Sequence, residues 1–297
     1  MLDSIPLWFA PLAVACFGLA VGSFCNVAIH RVPREGLSVR SPSRSHCPSC
    51  GTQLLWSDNL PVLSWLLLRA RCRHCKQPVS WRYPAVELLV AGLMLALWSV
   101  QQPASTEAWL VFGVGAVFAA TCVVVSAIDL EFWILPDVVT LPGTAIGVVL
   151  SAALPALHAA HPGFRLDNPH GSATVLALTG ALAGGGSLWL VGQLGNLALR
   201  KKIEEAGVSD AMGLGDVKWM ALCGTLLGPL LVLEAILAAC FLGALVGIAL
   251  KLIHRIRGGR GPVGLPFGPF LSVGALVELA WPGSVWGLMN TLLGGAA

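Results

Sequence analysis

Charged side chains are scarce: Asp, Glu, Lys and Arg make up only 11% of the 297 residues, against 56% hydrophobic ones. That shortage excludes an ordinary soluble globule, and a mean hydropathy of +0.78 agrees. Short strands of alternating polarity are also missing, which argues against a membrane β-barrel. Ahead of the first apolar run, residues 5–29, stands Asp3 and no positively charged segment, and no convincing cleavage site follows. This run therefore reads as a retained span rather than a removed signal peptide. The sequence has no Rossmann-type glycine fingerprint, no obvious internal repeat and no long disordered tail. A net charge of +3 gives no ground for nucleic-acid binding.

What is present are apolar runs close to the roughly 20 residues that a helix needs to cross a bilayer. The expected fold is an all-α polytopic membrane protein, because backbone polar groups in lipid must pair internally. About eight spans are expected, near 5–29, 84–101, 108–127, 138–157, 172–199, 217–228, 229–253 and 264–282. Gly228-Pro229 is expected to turn the chain tightly between the sixth and the seventh. The organisation read from this pattern is a first span (1–29), a small polar module (30–83) and a membrane domain (84–297).

Basic residues are distributed unevenly. Arg31, Arg34, Arg40, Arg44, Arg69, Arg71, Arg73, Lys76 and Arg82 fall in the polar module. Arg200, Lys201, Lys202 and Lys218 fall between two later spans, and Lys251, Arg255, Arg257 and Arg260 between two more. Eight spans put these seventeen of the eighteen cations on one side, which the positive-inside rule makes cytoplasmic. The amino terminus and Arg165 then lie outside.

The polar module carries Cys47-Pro48-Ser49-Cys50 and Cys72-Arg73-His74-Cys75, with 21 residues between the two knuckles. Two such knuckles complete a tetrahedral sulfur site suited to Zn²⁺, structural because no position is left for water. Arg44, Arg69, Arg71 and Arg73 nearby are expected to favour the thiolates. Thiolates need a reducing compartment, in agreement with a cytoplasmic module. A module this small gains from a metal staple. The other cysteines (Cys16, Cys25, Cys122, Cys223, Cys240) lie in apolar runs, as small hydrophobes do.

Ionisable residues at membrane depth carry a functional hypothesis. They are Glu87, Asp129, Glu131, Asp137, Asp216, Glu234 and Glu278. Asp129 closes an apolar run, and Asp216 opens a helix just after Gly213-Leu214-Gly215. Both map to the cytoplasmic ends of their spans. Gly213 and Gly215 let a substrate strand approach, and Lys218 stands close enough to tune local charge. Two aspartates at one depth can share a proton, the arrangement of aspartic proteolysis. Spacing alone leaves other readings open: Asp216 as a helix cap, Asp129 and Asp137 as interfacial residues, Glu87 as an arginine's partner. Glu234 and Glu278 have no evident partner, and His158, His161 and His170 read as solvated in an outer loop.

Taken in order, the motifs resemble those of the bacterial prepilin leader peptidases, which also act as N-methyltransferases. The resemblance rests on Gly22-Ser23-Phe24-Cys25-Asn26-Val27 with His30-Arg31-Val32-Pro33, on the paired knuckles, and on Asn59-Leu60-Pro61-Val62-Leu63-Ser64-Trp65. It continues through Arg82-Tyr83-Pro84 with Glu87, Ile128-Asp129-Leu130 running on to Leu135-Pro136-Asp137, Gly213-Leu214-Gly215-Asp216-Val217-Lys218, and Leu265-Pro266-Phe267-Gly268-Pro269-Phe270. The departures are Cys25, where the family often has an aliphatic residue, and a longer loop at 158–171.

The resemblance implies a Gly-x-Gly-Asp aspartic endopeptidase of the bacterial inner membrane. It would cut type IV prepilins and type II secretion pseudopilins after a glycine at the cytoplasmic face, then methylate the new amino terminus with S-adenosylmethionine. Asp129 and Asp216 become the catalytic pair and Asp137 an accessory residue. Asn26 and Glu87 are candidates for methyl transfer. Two rival readings are an ion or solute transporter relaying protons over Asp129, Asp216 and Glu234, and a redox sensor built on the knuckles.

Overall fold

The computed structural model describes residues 8–39, 44–206, 210–256 and 264–292, with only the backbone described at 202–206 and 292. Asp3, Arg40, Arg257, Arg260 and the side chain of Lys202 lie outside the described residues. Within them the regular structure is helical. It comprises α1 (Phe9–Arg31), α2 (Leu63–Leu67), α3 (Arg82–Gln101), α4 (Thr106–Phe132), α5 (Asp137–Ala153), α6 (Pro169–Ala206), α7 (Leu214–Ile256), α8 (Gly268–Ala280) and α9 (Ser284–Leu292). Five of these (α1, α3, α4, α6 and α7) are long and apolar enough to cross a membrane, and α8 with α9, bent by 93°, makes a sixth if the pair is one span.

The chain divides into two compact units, Met1–Ile128 and Asp129–Ala297, so that the last turn of α4 belongs to the second. In the first unit α1 packs antiparallel to α3. A Cβ on Gly22 would lie 2.6 Å from the Glu87 Cα, and one on Gly18 2.7 Å from the Ala91 Cα. Small residues one turn apart thus bring the two backbones together, a common way for membrane helices to gain packing contact.

In the second unit α7 carries the sharpest feature. Its 43 residues are far more than a bilayer needs, and at Gly228 the backbone leaves helical geometry (φ 79°, ψ 174°). A Cβ on Gly184 of α6 would meet both the Met220 carbonyl and the Val232 side chain. A straight helix would separate those two by about 18 Å. The chain therefore doubles back at Gly228-Pro229, as the sequence predicts. Counting the two arms of α7 and the 17-residue α5, each of the eight apolar segments read from the sequence has a helical counterpart. The expected 138–157 stops at Ala153, because a 3-10 turn takes over at Pro155–His158.

Two histidines differ from their expected solvated state. His158 is buried, with its Nε2 3.0 Å from the Ser151 hydroxyl, which itself donates to the Thr225 carbonyl (2.9 Å). His161 is buried against the α7 turn: a Cβ on Gly228 would sit 2.8 Å from its Cδ2. Gly228 is thus required twice, for its positive φ and for the imidazole stacked on it. Of these three histidines only His170 is exposed, paired with the Ala152 carbonyl at 2.8 Å. Glu278 and Glu234 also have partners. Glu278 accepts the main-chain N–H groups of Gly283 (2.7 Å) and Val285 (3.2 Å), and Glu234 accepts that of Trp286 (3.0 Å). Both cap the start of α9, where N–H groups have no partner within the helix.

Burial, with the neighbouring His161 charge, pushes His158 down to about 4. Its unfolded value is near 6.5, so its contribution is complete above that pH and is lost as pH falls toward 4, on the order of 3 kcal/mol. The thermal midpoint of the purified protein should therefore drop more steeply between these pH values than that of His158→Gln. Parallel pH curves would contradict a buried neutral histidine.

Candidate active site and metal centre

Asp129 lies in the last turn of α4 and is 5% exposed. Its Oδ2 accepts the main-chain N–H of Gly268, the first residue of α8, at 2.9 Å. A Cβ on Gly268 would lie 2.7 Å from the same oxygen, so any larger residue would displace the carboxylate it anchors. Asp216 sits in the first turn of α7, its N–H directed at the Gly213 carbonyl (3.2 Å). Its Oδ1 is buried without a hydrogen-bond partner, and the charge of Asp129 acts on it. Leu135 stands against both segments: a Cβ on Gly215 would be 2.8 Å from its Cβ, and one on Gly268 3.2 Å from its Cδ2. The two aspartates, from helices that start far apart in the chain, are thus gathered in one unit and share a wedge.

Lys218 and Asp137 pair with each other. The Lys218 ammonium donates to both Asp137 oxygens at 2.8 Å, joining the first turns of α7 and α5. The pair is part-exposed, worth at most about 1 kcal/mol, and acts as a brace. Gly268 and Leu135 lie within motifs of the sequence, but no local rule assigns either of them a role at the aspartates. Their signals are Phe267-Gly268-Pro269, where proline sits just inside a helix start, and the turn Leu135-Pro136-Asp137.

In the first unit Cys47, Cys50, Cys72 and Cys75 bring their sulfurs within 4.8 Å of one another. The Cys47 and Cys75 sulfurs are 3.8 Å apart, and two sulfurs bound tetrahedrally to zinc at about 2.3 Å stand about 3.8 Å from each other. The residues fit the ion. The two knuckles repeat one turn. Cys47 N–H reaches the Thr52 carbonyl and Gly51 N–H the Cys47 carbonyl, both at 2.9 Å. Cys72 N–H reaches the Gln77 carbonyl (2.9 Å) and Lys76 N–H the Cys72 carbonyl (3.1 Å). Gly51 (φ 68°) and Lys76 (φ 59°) hold the same left-handed position. Local hydrogen bonds, rather than the expected arginines, lower two of the thiols: Thr52 pulls Cys50 down to about 6, and the main chain at Cys75 and His74 lowers Cys72, while burial and the neighbouring thiols push Cys75 up to about 11.

Beside the cluster lies a cavity of about 660 Å³ whose walls include Asn26, Asp58, Trp65, Arg73, Tyr83 and Glu87. Asn26 donates to the Tyr83 carbonyl (3.0 Å), and its Oδ1 is buried without a partner. Arg73 donates through Nε (2.9 Å) and Nη2 (2.7 Å) to Asp58 Oδ1, holding that carboxyl below its usual range, while Asp58 Oδ2 is buried and unpartnered. Glu87, for which an arginine partner was one open reading, accepts the N–H of Val62 at 2.7 Å.

A helical membrane protein with two aspartates beside one shared leucine and a four-thiol cluster is thus defined by its own geometry. Residues 16–100 match the bacterial peptidase A24 N-terminal domain, and residues 116–248 match the type IV leader peptidase family. A prepilin leader peptidase/N-methyltransferase of Myxococcus xanthus (strain DK1622) is 38% identical over 262 residues, covering 87% of this chain and 69% of the relative. One of Pseudomonas putida is 33% identical over 97% of this chain and 96% of its own. The type 4 prepilin-like proteins leader peptide-processing enzyme of Escherichia coli O78:H11 (strain H10407 / ETEC) is 33% identical over 91% and 93%. No solved structure matches the chain. The chain belongs to the type IV leader peptidase family.

Two outcomes test this geometry. Gly268→Ala should leave the protein folded and inserted but lower cleavage of a membrane-embedded prepilin by about 10- to 100-fold, because it moves Asp129 off its donor. Wild-type turnover would show that the Gly268 contact is dispensable. Cys72→Ser should lose bound zinc and raise hydrogen exchange across 44–82, and undiminished zinc in the variant would exclude the four-thiol site.

Proposed function

We infer that this protein removes the basic leader of type IV prepilins and type II secretion pseudopilins after a glycine, and then N-methylates the new amino terminus. What supports this reading is that Asp129 and Asp216 lie in one unit with Leu135 against both of their segments, one held by a main-chain donor and the other presenting a buried, unpartnered oxygen. In this reading the Asp129 carboxylate, kept by Gly268, takes a proton from water, while Asp216 gives one to the developing tetrahedral oxygen. Gly213 and Gly215 leave a narrow approach for the substrate's own glycine. Lys218 and Asp137 keep α5 and α7 in register beside it.

The reading places the enzyme in the bacterial inner membrane, with the amino terminus periplasmic and the zinc module cytoplasmic, in accord with the basic residues and the thiols. A basic leader followed by a hydrophobic helix would then present its junction at the depth of the aspartates. The four cysteines hold a structural Zn²⁺. Residues 30–83 form the metal module, and 84–297 the peptidase domain that follows.

S-adenosylmethionine would supply an electrophilic methyl group, and the cavity in the first unit suits it. That cofactor is rich in donors (ribose hydroxyls, an ammonium and an exocyclic amine), and the Asn26 and Asp58 oxygens are two buried acceptors with nothing to accept. Glu87 fixes the Val62 turn on the cavity wall. The transporter reading is not favoured, since Glu234 is spent on the α9 cap rather than on a relay.

Asp129→Asn and Asp216→Asn should each lower prepilin cleavage by about 10³-fold or more while still methylating a pre-cut pilin. Asn26→Ala should weaken binding of radiolabelled S-adenosylmethionine about tenfold and leave cleavage unchanged. Full cleavage by either aspartate variant, with a verified substrate, would refute the pair, and unchanged cofactor binding by Asn26→Ala would move the methyl-donor site elsewhere.

A further inference from the structure

The polar module has a face that water does not explain. Leu55, Trp56, Leu60, Leu63, Leu66 and Leu67 are all exposed, Trp56 at 80% and Leu67 at 79%. On α2, Leu63, Leu66 and Leu67 follow i, i+3, i+4 spacing and so share one side. The other side of the same helix turns inward: Ser64, Trp65 and Leu68 line the cavity, and the Trp65 indole donates to the Val79 carbonyl at 3.0 Å. The exposed leucines are therefore not a core that failed to close. Their helix already has its inward, half-buried face.

The level of this segment is fixed by one bond. The Val62 N–H, immediately ahead of α2, donates to Glu87, and Val62 takes a left-handed φ of 60°, costly for a β-branched residue, while doing so. Glu87 lies five residues into α3, about 7.5 Å along its axis from Arg82, and it also pairs with Ser23, about 12 Å back from the end of α1. Both helices are long and apolar enough to cross a membrane. The start of α2 is thus tied below the ends of the two spans and not above them. Trp81, 73% exposed at the α3 start, and Arg69 and Arg71 after α2 supply the aromatic and cationic residues typical of a headgroup boundary.

We propose that the outward face of α2, with Leu60 and Trp56, lies in the lipid leaflet from which α1 and α3 emerge, making the metal module a monotopic insert rather than a solvated loop. The occupant of the face is lipid, at the boundary of headgroups and acyl chains, where amphipathic helices bury their apolar side by about 5–10 Å. Asn59 and Pro61, just ahead of α2, line a second hollow together with Ala20 and the exposed Phe24 of α1, so the segment borders the outward surface of a membrane-length helix. Its consequence is a cavity held level with the leaflet, open to a chain end leaving the bilayer. The proposal stands whether or not that cavity binds a methyl donor.

The test uses the full-length protein in nanodiscs of phosphatidylethanolamine and phosphatidylglycerol, with p-benzoyl-phenylalanine in place of Leu67 or, as control, of the exposed knuckle residue Ser49. Both positions are on the surface, and an unchanged elution volume verifies folding. On illumination, mass spectrometry should find lipid adducts at position 67 in several-fold excess over position 49. Equal yields, no lipid adduct at 67, or an adduct there to a second copy of the chain or to added pilin would overturn the proposal.

Discussion

A single main-chain N–H governs the candidate catalytic centre. Inside a membrane protein a carboxylate has no bulk water to solvate it, so a donor must come from the fold. For Asp129 that donor is Gly268, and the contact fits only because residue 268 has no side chain. The rest of the second unit serves this meeting. The hairpin at Gly228 returns α7 along α6, Leu135 fills the space beside both aspartate segments, and the Lys218–Asp137 pair braces two helix starts. At Gly215, Gly228 and Gly268 the contacts are so close that a single Cβ would have to displace its neighbour.

The first unit is built on a different economy. Its polar module has too little apolar interior to hold itself, and four thiols take the place of a core. The knuckles are one turn used twice, with Gly51 and Lys76 in matching left-handed positions. The polar module, the Glu87–Val62 bond and the Asn26–Tyr83 bond then frame one cavity against the packed ends of α1 and α3. The buried acceptors of that cavity, on Asn26 and Asp58, lack what a donor-rich ligand would bring.

Much of this was legible in the sequence. Apolar length gave the helices, Gly228-Pro229 gave the hairpin, and cysteine spacing gave the cluster, because each rests on a local rule. Positions where a distant segment supplies the partner were not legible. His158 and His161 look like loop residues, yet the α7 turn buries them. Glu234 and Glu278 look like stray acids, yet they cap α9, whose 93° bend from α8 no periodicity announces. Gly268 lay in a quoted motif, but its task is set by Asp129, 139 residues earlier. Asp58 carried no signal, since its role depends on Arg73 clamping one oxygen and leaving the other free.

The most direct test of the central claim is a cryo-EM structure of the protein bound to a prepilin segment whose scissile peptide is replaced by a tetrahedral hydroxyl isostere. The account predicts that this hydroxyl lies within hydrogen-bond reach of Asp129 and Asp216 together, with Gly268 N–H still on Asp129. A hydroxyl touching only one carboxylate, with the other turned away and out of reach, would contradict it.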